Sequence, residues 1–195
     1  MTGRRIKGTL IAATLVVSGI ALLTWTQPWF SITLAQSTHA GDAIDVPGDA
    51  AGPAAAALGL AGLALGGALA IAGRVLRIVF GVLEVLIGGS LGLSAVVALG
   101  DPAAASTTTI TQATGVAGSS AAHDLVTAAV PTIWPMIAIV AGALLVLAGV
   151  AVIATSGRWP SSSRKFDSPA AKPQSSAPDA VDSWDELSRG EDPTR

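Results

Sequence analysis

Glu84 is the only ionisable side chain inside the four long apolar stretches of this 195-residue chain. A carboxyl buried in hydrocarbon is costly, and one that faces other helices can hold and release a proton during transport. A plainer reading pairs Glu84 with Arg77, seven residues earlier on roughly the same helical face, or lets it snorkel toward nearby water. His39 and His123 stand near Asp42 and Asp124 in the polar connections. Imidazole and carboxylate ligate metals, but no ligand spacing joins these residues, so they read as solvated loop positions. No strained turn presents a serine to a base, no glycine loop cradles a phosphate, and there is no cysteine for thiolate chemistry. No catalytic, cofactor-binding or metal-binding residue is therefore assigned, and an enzyme is not expected. Two aromatic groups complete the inventory. Trp25, Trp29 and Phe30 suit either a membrane-interface anchor or an aromatic cradle for a planar ligand. Trp184 and Leu187, with Arg189 beside them, suit the docking of a short helix onto a partner.

The elements that carry these residues follow from charge and length. Apolar residues make up 51% of the chain and charged ones 12%, well below the share in a soluble domain. A helix needs about 20 apolar residues to cross the hydrocarbon. Spans are expected at residues 8–25, 54–73, 78–99 and 133–154. Arg4, Arg5 and Lys7 precede the first span, Arg74 and Arg77 separate the second from the third, and the other six cations follow the fourth. The connections 26–53 and 100–132 contain none. Because cationic loops resist translocation, both termini and the 74–77 loop are expected in the cytoplasm, in a multi-pass plasma-membrane protein. A cleaved secretory signal ending near Ala35 competes for the first span. Trp25-Thr26-Gln27-Pro28-Trp29-Phe30 intervenes, however, with bulk where a signal peptide carries small residues. Retention as a helix is the expectation.

The fold class expected is all-α: four transmembrane helices in a compact bundle, lipid around them and a disordered C-terminal tail. Glycines recur at sevenfold spacing as Gly59, Gly66 and Gly73, Gly81 and Gly88, and Gly142 and Gly149. Small residues on one stripe let helix backbones approach, either within the bundle or, through Gly62-x-x-x-Gly66, between copies of the chain. The outer connections are polar, with Ser106–Thr111 as linker and Ala121–Val130 as a short surface helix. Residues 155–180 read as a disordered tether. Residues 181–195 hold a capping box at Ser183 and Glu186, a Val181–Trp184–Leu187 face and Gly190 as a stop, a pattern too brief to be helical alone. A cytoplasmic protein partner is expected there. No basic patch is interleaved with aromatics, which excludes nucleic acid.

Thr24-Trp25-Thr26-Gln27-Pro28-Trp29-Phe30 at the end of the first span, three further spans, and the closing Trp184-Asp185-x-Leu187-Ser188-Arg189-Gly190-Glu191-Asp192-Pro193-Thr194 resemble the actinobacterial tryptophan-biosynthesis-associated membrane proteins. The resemblance implies a setting near tryptophan metabolism and brings no catalytic residues. Two expectations stand: a membrane scaffold whose tail binds a partner, and a small exporter of tryptophan, indole or anthranilate.

Overall fold

The computed structural model describes residues 3–35 and 43–159. Four helices are long and apolar enough to cross a membrane: α1 (Gly3–Trp25), α3 (Ala54–Ile71), α4 (Arg74–Gly100) and α8 (Trp134–Thr155). At 1.5 Å per residue, the 27 residues of α4 extend about 40 Å, longer than the hydrocarbon alone requires. The helices begin and end where the chemistry dictates. Gly73 stands at the N-cap of α4, Pro135 occupies the first turn of α8, and Asp101 terminates α4. The expected 74–77 loop is helical instead. The α3–α4 connection is only residues 72–73, and Arg74 and Arg77 form the first turn of α4.

Around the four-helix arrangement the neighbours are α1–α3, α3–α4, α4–α8 and α8–α1. Each helix thus packs mainly against two others, and α1 and α4 stand on a diagonal. Large apolar side chains such as Val16, Leu60, Ile71, Leu86 and Leu147 point outward, as lipid-facing positions should. Where the helices cross most closely, the inward residues are glycines. A Cβ at Gly88 would stand 2.5 Å from Gly142 O, and one at Gly149 would stand 2.6 Å from Gly81 O. The two seven-spaced glycine pairs therefore form one α4–α8 crossing at backbone contact. Gly59, Gly62 and Gly66 of α3 meet Leu22, Ser18 and Leu15 of α1. The Gly62-x-x-x-Gly66 face is occupied within the chain.

One end carries every described cation: the start of α1, the first turn of α4, and Arg158 in the 3-10 turn Ser156–Arg158 after α8. Contacts hold this end together, with Gly3 against the Arg158 carbonyl and Lys7 Nζ donating to Ala70 O at 2.7 Å.

The opposite end departs from an all-α fold. β1 (Pro28–Leu34) is the middle strand of a three-stranded antiparallel sheet, with β2 (Ala43–Pro47) on one side and β3 (Val126–Pro131) on the other. Phe30, Ile32 and Leu34 alternate inward, while Ser31 and Thr33 are half-exposed. With Val46 they cover Ala95 and Ala98 of α4 and Ala138 of α8. Neither connection has enough apolar bulk for a domain of its own. Together they do, because they borrow the helix ends as a floor. The expected linker at 106–111 mostly lies in helix α6 (Thr107–Thr114), which puts Ile110 into the same core. The expected helix at 121–130 is half right: α7 spans Ser119–Leu125 and the chain then turns into β3. Two short helices, α2 (Gly48–Ala51) and α5 (Pro102–Ala105), complete the cap.

Candidate functional site

The buried stripe of α1 is unusual for a membrane helix. Its inward residues are Thr14, Ser18, Ala21 and Thr24, so three of the four positions carry hydroxyls. Spacings of four and three keep them on one face. Thr24 closes its own hydrogen bond to Ala21 O at 2.7 Å, as hydroxyls in membrane helices commonly do. Thr14 does more. Its Oγ1 lies 3.0 Å from Leu10 O and 2.5 Å from Glu84 Oε1.

Glu84 comes from the inward stripe of α4, between Gly81 and Gly88, and has 0% exposure. Since α1 and α4 stand on the diagonal, the Thr14–Glu84 bond crosses the interior between all four helices. The snorkelling reading is thereby excluded. Pairing with Arg77 does not occur either: Arg77 Nε donates to Ala72 O at 2.9 Å, and its guanidinium lies over Trp159, 5.1 Å from the ring centroid. Glu84 Oε2 and Ser18 Oγ are buried and find no hydrogen-bond partner among the described residues. Unsatisfied polar atoms at this depth cost several kcal/mol in general, on the order of 2–7 each. The hydrogen-bond arithmetic at Thr14 is informative, because one hydroxyl hydrogen faces two acceptors. A protonated Glu84 donates to Thr14 Oγ1, and Thr14 then donates to Leu10 O. A deprotonated Glu84 draws the Thr14 hydrogen to itself. The pair accommodates both states through one hydroxyl rotation.

The aromatic cluster is divided by the fold. Trp29 and Phe30 are wholly buried in the cap core, so they neither anchor the chain in the interface nor line an open cradle. Trp29 Nε1 donates to Thr24 O at 2.8 Å, and its ring leaves no space for a Cβ at Gly48 or Gly52. It acts as a plug between the last turn of α1 and the start of α2. Trp25 is half-buried and packs beside Ala21 and Ala55.

His123 Nε2 meets Asp101 Oδ1 at 3.1 Å, while its Nδ1 lies 2.7 Å from Ser119 O. Asp101, the capping residue of α5, also accepts from Ala104 N at 3.0 Å. Its partner is thus a residue 22 positions earlier in the chain, and not the adjacent Asp124. The Ser119 carbonyl first, and then the Asp101 charge, raise the His123 pKa above its ordinary value. His39 and Asp42, and the tail residues Trp184, Leu187 and Arg189, lie outside the described residues. Sequence reasoning missed Thr14 as the companion of Glu84, and Ser18 as the next hydroxyl on the same buried face. The signal was their four-residue spacing in an otherwise aliphatic helix.

No curated protein and no solved structure matches this chain. A family model does, over residues 10–194, which takes in α1 from Leu10 onward, the other three long helices, the cap and the residues beyond α8 up to 194. The chain therefore belongs to the family of tryptophan-associated transmembrane proteins.

Proposed function

We propose that this protein is a small proton-coupled exporter of an aromatic metabolite, such as tryptophan, indole or anthranilate, and not an enzyme. Its place is the plasma membrane, with the cationic end in the cytoplasm, because all described cations gather there and none occurs in the capped half. The observation that carries the reading is Glu84: a fully buried carboxyl on the inner diagonal, held by one hydroxyl that serves both of its protonation states. Such a group takes up a proton where water reaches it and releases it when the helices re-expose it to the other side. The polar stripe of α1 extends from Thr14 toward the cap and supplies hydroxyls along that route. The test is flux of labelled tryptophan, indole and anthranilate in proteoliposomes under an imposed pH gradient. Glu84→Gln keeps the shape and loses the titration, so gradient-driven flux should fall to the level of empty liposomes. Equal flux in both proteins would sink the proposal.

The scaffold reading is favoured by a different observation, the extension of the family match to residue 194. In it, Trp184 and Leu187 dock on a cytoplasmic enzyme of tryptophan metabolism. A peptide of residues 181–195 should then bind that enzyme, and Trp184→Ala should abolish the binding. Equal binding by both peptides would refute it.

A further inference from the structure

Between Glu84 and the cationic end stands a closed layer of unusual composition. Arg77 is 3% exposed and Trp159 4%, although both lie near a helix end where such side chains ordinarily reach water or headgroups. Trp159 is turned inward, into a cluster with Leu65, Leu69 and Val152, against which Leu10 and Ile11 pack. Its indole Nε1 donates to Thr155 Oγ1 at 3.0 Å. Arg77 covers the ring, 5.1 Å from its centroid, and anchors itself by donating to Ala72 O. Along the inward stripe of α4 the order is Arg77, Gly81, Glu84, so this layer lies two turns from the carboxyl.

We infer that Arg77 and Trp159 form a gate that separates Glu84 from water at the cationic end. The inference rests on Glu84 being the proton-carrying group. Two features make the layer more movable than the rest of the interior. Trp159 follows the 3-10 turn Ser156–Arg158, a tightened helix end that opens at less cost than a helix interior. Arg77 holds the Trp159 ring by a face contact and the Trp159 backbone carbonyl by a long hydrogen bond from Nη1 at 3.5 Å, which leaves the ring itself freer than the glycine-to-carbonyl crossing that locks α4 against α8. Swinging the ring outward exposes the Leu65–Leu69 side of the cluster and the Thr14–Glu84 pair beyond it. At the other end the equivalent position is filled by Trp29, which is sealed beneath a sheet and bonded to Thr24 O. Access from the cationic end is therefore the easier one.

Because the chain lacks cysteine, Thr14→Cys places its one thiol beside Glu84. A membrane-impermeant maleimide is applied to vesicles of either orientation, with native Trp159, Trp159→Phe and Trp159→Ala compared. Losing a desolvated cation–π contact should raise the open fraction, and the labelling rate with it, about tenfold in Trp159→Ala, the factor that about 1.4 kcal/mol represents. The rise should appear only from the cationic face, and Trp159→Phe should stay near the native rate. An unchanged rate overturns the gate, as does a rise from the capped face. So does an equal rise at Leu91→Cys, a buried position of α4 nearer the cap, because that marks a loosened fold. Labelling needs no transport, so failure here leaves the Glu84 flux result standing, and failure of flux leaves labelling to decide the gate.

Discussion

Adding one methyl group to Gly88 should destabilise the protein, whereas adding it to Gly89 should not. At Gly88 the new Cβ would stand 2.5 Å from Gly142 O, 2.8 Å from Leu145 Cβ and 2.8 Å from Val146 N. Two of those atoms are backbone and cannot rotate away. Reaching ordinary carbon contacts of about 3.5 Å means moving α8 from α4 by about 1 Å. The opposite side has no slack either, since a Cβ at Gly142 would meet Gly88 O at 2.6 Å and Gly92 N at 2.8 Å. Overpacking of this kind costs about 1–3 kcal/mol. At Gly89 nothing lies within 4 Å. Both variants gain the same helix propensity, about 1 kcal/mol for glycine to alanine. That gain cancels in the comparison, so the two should differ by the overpacking alone, about 2 kcal/mol in favour of Gly89→Ala. Reversible unfolding in mixed micelles, followed by tryptophan fluorescence, measures the difference. Equal stabilities, or a more stable Gly88→Ala, would refute the crossing as the contact that holds α4 to α8.

The cap offers two further tests. His123 has its pKa raised in the folded protein, so its contribution is fully present below the ordinary value of 6.5 and is lost as pH rises through the folded value. Amide exchange in α7, corrected for intrinsic rates, should therefore be slower in mildly acid than in mildly alkaline buffer. In His123→Ala that pH dependence should vanish; its persistence would mean that His123 is not the group whose titration steadies α7. Trp29→Ala should cost about 3–5 kcal/mol by emptying the cap core, and Trp29→Phe about 1 kcal/mol for the lost donation to Thr24 O. Thermal unfolding in detergent checks both, and a neutral Trp29→Ala would show that the indole is an interface anchor after all.

How much of this was legible in the chain depends on the kind of interaction involved. The spans were readable because a bilayer imposes its thickness and polarity on each helix separately, and the apolar runs of α1, α3, α4 and α8 answer that demand locally. Sevenfold glycines signalled close packing, but Gly81 and Gly88 do not say that Gly149 and Gly142 receive them. The cap was hidden for a related reason. Phe30-Ser31-Ile32-Thr33-Leu34 and Ile44-Asp45-Val46 alternate as strands do, yet each is too short to bury its apolar face alone. They pair with each other, the first also takes β3, about 100 residues on, and the floor beneath them is three alanines in the spans.

Glu84 shows the same division most clearly. Composition alone made it the one charge-bearing side chain within a span, because hydrocarbon tolerates so few that any exception is conspicuous. Whether it pointed to lipid, to Arg77 or inward could not follow from a spacing of seven. That choice belongs to the diagonal placement of α1 and α4, which brings Thr14, 70 positions away, within hydrogen-bond reach. Insertion into a bilayer is a property of each segment, and so the sequence by itself determined it. The interior is a property of pairs of segments distant in the chain, and only the tertiary structure decided which side chains meet there.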